Sequence, residues 1–326
     1  MSKLNYITAT NLKNYLSDDP LLDWLESYGH LHNYAKEKND PNQDFNLFIQ
    51  DKQTVFKKNI ISLIESKLSI TKVEPGLDLR KRISQTMDYI YLGKKVIYQG
   101  ALFSKSHNLI GTPDLLIRHD CLTSLFPDLE ITKNKYTYCP VNIEFLKLHL
   151  NKDGFIQNTN KRYQCLKAKS IIDSICLNEF LGCQNTFSLI ISKSVQLSSN
   201  SELHLNFKKF FYGQVDYLTY DQSIYQKIFQ GCRWTSEVQS EGQTWSVSIN
   251  IDNSIMKKEL YPNMVNQDDF PWHSVKTQIA SKIKEITLLY HCGIKQREHA
   301  FQQGVYQWSQ CDSDSLKIRN TRKSTI

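Results

Sequence analysis

Three strand-like runs, KVIYQGALF (95–103), TPDLLIR (112–118) and VNIEFLKLHL (141–150), precede one long helical stretch, KRYQCLKAKSIIDSICLNEFLG (161–182). Two further strand-like runs follow, NTFSLIIS (185–192) and FYGQVDYLT (211–219), and then a helix over 221–241. A strand leading through a helix to another strand favours parallel pairing, whereas closely spaced strands favour antiparallel pairing. This order predicts an α/β core whose mixed sheet carries helices on both faces.

Helices flank that core. In 52–68, Val55, Phe56, Ile60, Ile61, Leu63, Ile64 and Leu68 recur at helical spacing with lysines between them. Another helix is expected over 78–92, after the turn at Glu74-Pro75-Gly76. Upstream, ITATNLKNYLSDDPLLDWLESYG reads as two helices, capped by Thr10 and by Asp18 or Asp19, with Pro20 in the second one's first turn. The polar stretch 36–45, with Asp40-Pro41, separates this piece from the body. The expected division is therefore a helical segment over 1–44, a core over 45–250 and a helical C-terminal region over 251–326 ending in a flexible tail.

Composition narrows the setting. The 326 residues are 40% hydrophobic and 22% charged, as in ordinary globular chains. No run approaches the ~18 apolar residues of a membrane span, and the N-terminus lacks the pattern of a secretory signal. The eight cysteines are scattered, without CxxC or zinc-type Cys/His spacing, which suits a reducing cytoplasmic or nuclear location. Histidines 107, 119 and 149 have no ligand spacing, and His291 with His299 make a poor metal pair. A net charge of +7 is compatible with a polyanionic partner. Basic clusters occur at Arg80-Lys81-Arg82, Lys161-Arg162, Lys208-Lys209 and the tail RNTRK, and aromatics interleave with lysines in FKKFFYG (207–213). Trp234, Trp245, Trp272 and Trp308 read as anchors for the C-terminal helices.

The C-terminal LLYHCGIKQREHAFQQGVYQW has the cadence of a helix–hairpin–helix, turning at Gly293-Ile294 and starting its second helix near Arg297. Turn amides and a helix N-terminus can bind phosphate, so Gly293, Ile294, Lys295 and Arg297 are candidate nucleic-acid contacts. The usual second glycine is replaced by Lys295.

The order ITATNL, TVFKKNII, GTPDLLIR, VNIEF and KRYQCLKAKSIID resembles the RecB-like branch of the PD-(D/E)xK nuclease superfamily. The later KELYPNM…IASKIKEITLLYHCGIKQREHAF is similar to a segment of relatives carried by large DNA viruses. The resemblance implies a restriction-endonuclease-like fold and, in active members, Mg²⁺- or Mn²⁺-dependent phosphodiester hydrolysis. Divalent ions there polarise the phosphate and generate hydroxide, held by carboxylates with a lysine beside them.

Carried over residue by residue, the family's pattern is depleted. Asp114 fills the Pro-Asp position. The first-helix glutamate falls on Lys57, and the D-x-K strand reads Asn142-Ile143-Glu144. Lys169 and Asp173 stand where a supporting glutamine and tyrosine belong. Two readings follow. An active nuclease would use Asp114 and Glu144 as ligands for Mg²⁺ or Mn²⁺ and Lys169 as the cation. An inactive one would need no metal, with Lys57 and Lys169 neutralising Asp114, Glu144 and Asp173 in an internal ion cluster. Strand alternation places Lys147 opposite Glu144 unless a bulge intervenes, which argues against EFLK as a shifted catalytic pair. The expected function is a catalytically impaired nucleic-acid-binding protein, DNA favoured over RNA. An active divergent nuclease and a protein-interaction scaffold are the alternatives, and no membrane partner is expected.

Overall fold

A computed structural model describes residues 6–129, 137–158, 161–183, 187–197 and 210–316. Along the chain run β1 (Ile7–Thr8), α1 (Lys13–Leu16), α2 (Leu21–Tyr28), α3 (Gln43–Glu65), β2 (Ile70–Lys72) and α4 (Leu79–Tyr91). Then come β3 (Val96–Tyr98), β4 (Leu102–Ser104), β5 (Leu109–Gly111), β6 (Leu115–Arg118), α5 (His119–Leu125), β7 (Tyr138–Leu150) and α6 (Lys161–Leu181). The chain continues through β8 (Phe187–Leu197), β9 (Phe211–Asp216), α7 (Gln222–Glu241), α8 (His273–Ile283), α9 (Ile294–Gln302) and α10 (Ser313–Leu316).

The chain divides into two compact units, one of residues 1–11 with 44–229 and one of residues 12–43 with 230–326. The first unit is mixed α/β. Its main sheet has the order β2-β3-β6-β7-β8-β9, parallel at β2/β3 and β7/β8 and antiparallel elsewhere. A small sheet, β1-β5-β4, lies beside it in the same unit.

Both faces of the main sheet are covered, so the start of β7 is buried without alternation, from Tyr138 through Ile143. Cys139, Val141 and Ile143 join Ile61 and Ile64 of α3 and Leu122 and Leu125 of α5 in one core. On the other face, Asn142 meets Ser170 and Asp173 of α6. Helix α6 is the crossover between parallel β7 and β8, and Gly182 at φ +60° closes it. The Asp78 side chain caps α4 by accepting from the Lys81 amide at 3.0 Å.

Three expectations change. The run 95–103 is two strands in different sheets, because Gln99 takes a left-handed φ of +58° and turns the chain between them. The first helix of the core starts at Gln43 rather than near residue 52. Residues 12–43 of the expected N-terminal segment and the C-terminal region, extended back to residue 230, form one unit, because Trp24, Trp234, Trp245 and Trp272 share a single core. Trp308, by contrast, is exposed.

That second unit is stitched by buried ions. Asp19 is not a helix cap but is fully buried against Lys276, 3.0 Å away, and Lys276 also pairs with Asp269. Likewise, Thr10 falls inside a 3-10 turn, and neither α1 nor α2 has a side-chain cap. Among the described residues, no helix is long and apolar enough to cross a membrane. Lys208-Lys209, the start of FKKFFYG and the tail RNTRK lie outside the described residues.

Candidate functional site

β6 pairs with β7 only as far as Leu115 opposite Val141. Beyond that point the edge of β7 needs other hydrogen-bond partners, and side chains supply them. The Ile143 amide donates to Asp114 Oδ2 at 2.8 Å, directly after Pro113 has ended the loop before β6. Gln53 of α3 takes the next two groups, donating to the Ile143 carbonyl at 2.6 Å and accepting from the Phe145 amide.

One helical turn after Gln53, Lys57 reaches the same place, with Nζ 2.7 Å from Asp114 Oδ1. From the α6 side, Lys169 Nζ lies 3.9 Å from Asp114 Oδ2. Asp114 is thus held by two ammonium groups and one backbone amide. Its side chain is only 13% exposed, so water cannot replace these partners fully.

Asn142 and Glu144 point to the α6 face. Asn142 Nδ2 donates to Ser170 Oγ and to Asp173 Oδ2, each at 3.0 Å. Burial raises the Asp173 carboxyl from 3.8 to about 6, against the opposing pull of Lys169 and of the Asn142 hydrogen bond. Burial also raises Glu144, offset in part by Lys169 and Lys57. At Lys169, burial works against the charge, but Asp114, Asp173 and Glu144 outweigh it and leave the ammonium with a raised pKa. All six core candidates therefore belong to one connected cluster of charges and hydrogen bonds.

A bulge does intervene before Lys147, so simple strand alternation fails there. β7 and β8 shift register between Glu144, paired with Ser192, and Lys147, paired with Ser194. One extra residue on β7 brings Lys147 into line with the Glu144 face, and its side chain is exposed there. Tyr163 of α6 donates to the Lys147 carbonyl at 2.7 Å, and His149 stands edge-on to the Tyr163 ring.

A cleft of about 440 Å³ opens at Asp114. Thr112 and Pro113 line it together with Gln99, Arg82 and the loop from Glu74 to Leu77. Arg82 donates to the Gln99 carbonyl at 3.2 Å, while the Gln99 amide donates to the Asp114 carbonyl at 2.9 Å. Gln53, Ser170 and Gln99 are absent from the sequence-derived site. Of these, only Gln53 carried a usable signal, its i,i+4 spacing to Lys57.

At the second candidate site the local structure differs from a helix–hairpin–helix. Instead of an apolar helix entering the turn, a 3-10 stretch, Ile286–Leu288, precedes Gly293. The Gly293 amide already donates to Gln296 Oε1 at 3.1 Å. Arg297 is buried, 3.2 Å from Glu285 and donating to the Tyr261 and Pro262 carbonyls, so it cannot meet a phosphate. Lys295 alone is exposed, and Ile294 is partly buried.

No protein-family model matches the chain, and no curated protein matches it.

Proposed function

We propose that this chain is a nucleic-acid-binding protein of the cytoplasm or nucleus. In this reading its core is restriction-endonuclease-like, and lysines occupy the place of the metal ions. The observation that carries it is the Lys57–Asp114 pair at 2.7 Å, with Lys169 at 3.9 Å from the second oxygen. A magnesium or manganese ion needs oxygen lone pairs directed at it. Here Asp114 Oδ1 faces an ammonium, Oδ2 accepts from Ile143, and Asn142 donates to Asp173 and Ser170. That donor set does not fit a divalent ion. The net charge of +7 and the cleft beside Asp114 support a polyanionic partner, with DNA the favoured polymer.

Fluorescence anisotropy with labelled DNA in EDTA, over a salt series, tests the reading. Binding that survives EDTA and weakens as salt rises is expected. No affinity even at low salt would sink it and favour a protein-interaction scaffold.

A second reading has one observation in its favour, the register shift that brings Lys147 to the Glu144 face. It is a rebuilt Mg²⁺- or Mn²⁺-dependent nuclease around Asp114, Glu144 and a lysine. Cleavage with Mn²⁺ by the wild type, lost in Asp114→Ala, would establish it over the first.

A further inference from the structure

The N-terminal half of α3 stands unusually bare. Phe45 is 63% exposed and Phe48 54%. By helical periodicity, Phe45, Phe48, Lys52 and Phe56 fall within one stripe of the helix surface. Lys52 Nζ lies 5.1 Å from the centre of the Phe48 ring. At the other end, the Phe56 ring is 5.7 Å from that of Phe145, which carries Lys193 Nζ 4.5 Å from its centre. The Phe145 amide donates to Gln53, one helical turn before Lys57, so the stripe ends beside the charge cluster. From residue 45 to residue 56 the helix rises roughly 17 Å, about the length of five stacked nucleotides.

We infer that this stripe is a track for single-stranded nucleic acid, laid along α3 and delivered to the Asp114 cluster. The inference deepens the nucleic-acid reading above and rests on it. Exposed rings offer stacking faces to bases of any sequence, and ammonium groups beside them meet the phosphates. An apolar protein surface is a worse occupant: covering the rings would bury Lys52 and Lys193 without counter-charges. A phosphodiester strand supplies an anion for each. Asp44 and Asp51 fall on the flank of α3 away from Gln53 and Lys57, which keeps phosphates on the cluster side.

The test compares a labelled oligothymidine with a duplex of equal length, by anisotropy in EDTA. Wild type is set against Phe48→Ala and Phe45→Ala/Phe48→Ala, with circular dichroism confirming the folds. The expected result is a preference for single strands, weakened roughly tenfold for each ring removed, with duplex binding little changed. Wild-type binding that both variants retain in full would overturn the track yet leave nucleic-acid binding standing. Binding to neither DNA by the wild type would remove both. Sedimentation showing a wild-type dimer that Phe45→Ala/Phe48→Ala turns into a monomer would also overturn the track, marking the stripe as a self-association face.

Discussion

The Lys57 ammonium lies 2.7 Å from Asp114 Oδ1, joining α3 to the loop before β6 across 57 residues of sequence. The two partners are unequal. Lys57 makes one direct ion pair among the described residues and acts on Glu144 only through space, but Asp114 also satisfies Ile143 and faces Lys169. Asp114→Ala should therefore cost more than Lys57→Ala, about 3 kcal/mol against about 1–2 kcal/mol. Urea denaturation of both variants and of the double mutant measures the two costs and their coupling. An Asp114→Ala protein as stable as wild type would mean that the cluster does not hold the sheet edge.

Gln53 should behave as a clamp on β7. Gln53→Ala leaves the Ile143 carbonyl and the Phe145 amide without their partner, a loss of about 1–3 kcal/mol. Gln53→Glu keeps the acceptor for Phe145 but sets a carboxylate against the Ile143 carbonyl, so it should not rescue. Amide hydrogen exchange reads this locally: the Phe145 amide should exchange faster in Gln53→Ala, while amides deep in β8 stay protected. Unchanged exchange at Phe145 would refute the clamp.

Local signals carried much of the fold. Helix α4 begins after Asp78 and α6 ends before Gly182 because cap chemistry is written in single residues. The α3 start was hidden, since its first turns expose their apolar residues and so lack the buried stripe that periodicity detects. The break at Gln99 was also hidden, because glutamine is not a residue that advertises a positive φ. At the site, the structure places Lys57, Asp114, Asn142, Glu144, Lys169 and Asp173 in one cluster. The register shift before Lys147 was invisible, because a bulge is set by how β7 meets β8, not by the composition of β7. Arg297 misled for a related reason: a basic residue beside a turn looks solvent-facing until its carboxylate partner, Glu285, is located in space.

Arg297 should matter for stability and not for nucleic acid. Its guanidinium is buried with Glu285, which has a raised pKa because burial outweighs the pull of Arg297. Arg297→Ala strands that carboxylate and is expected to cost about 3–5 kcal/mol. Lys295→Ala should be neutral within about 0.5 kcal/mol, as an exposed substitution. If Arg297→Ala instead kept full stability and reduced DNA affinity, the phosphate-binding hairpin would have to be reinstated.

Asp173 gives a pH signature with a definite sign. Its folded carboxyl is raised from 3.8 to about 6, chiefly by burial. Between these values the folded chain holds a proton that the unfolded chain releases, so stability falls as pH rises. The contribution is fully present below about pH 4, and by above about pH 6 it is lost, on the order of 3 kcal/mol. Asp173→Asn is neutral throughout and keeps a side chain of similar shape. Subtracting its stability from that of wild type, pH by pH, cancels the other groups common to both proteins, Glu144 among them. The difference should decline across this window and level off near neutrality. A difference that stays flat from pH 4 to 7 would show that Asp173 ionises freely, with Lys169 as an adequate partner despite complete burial.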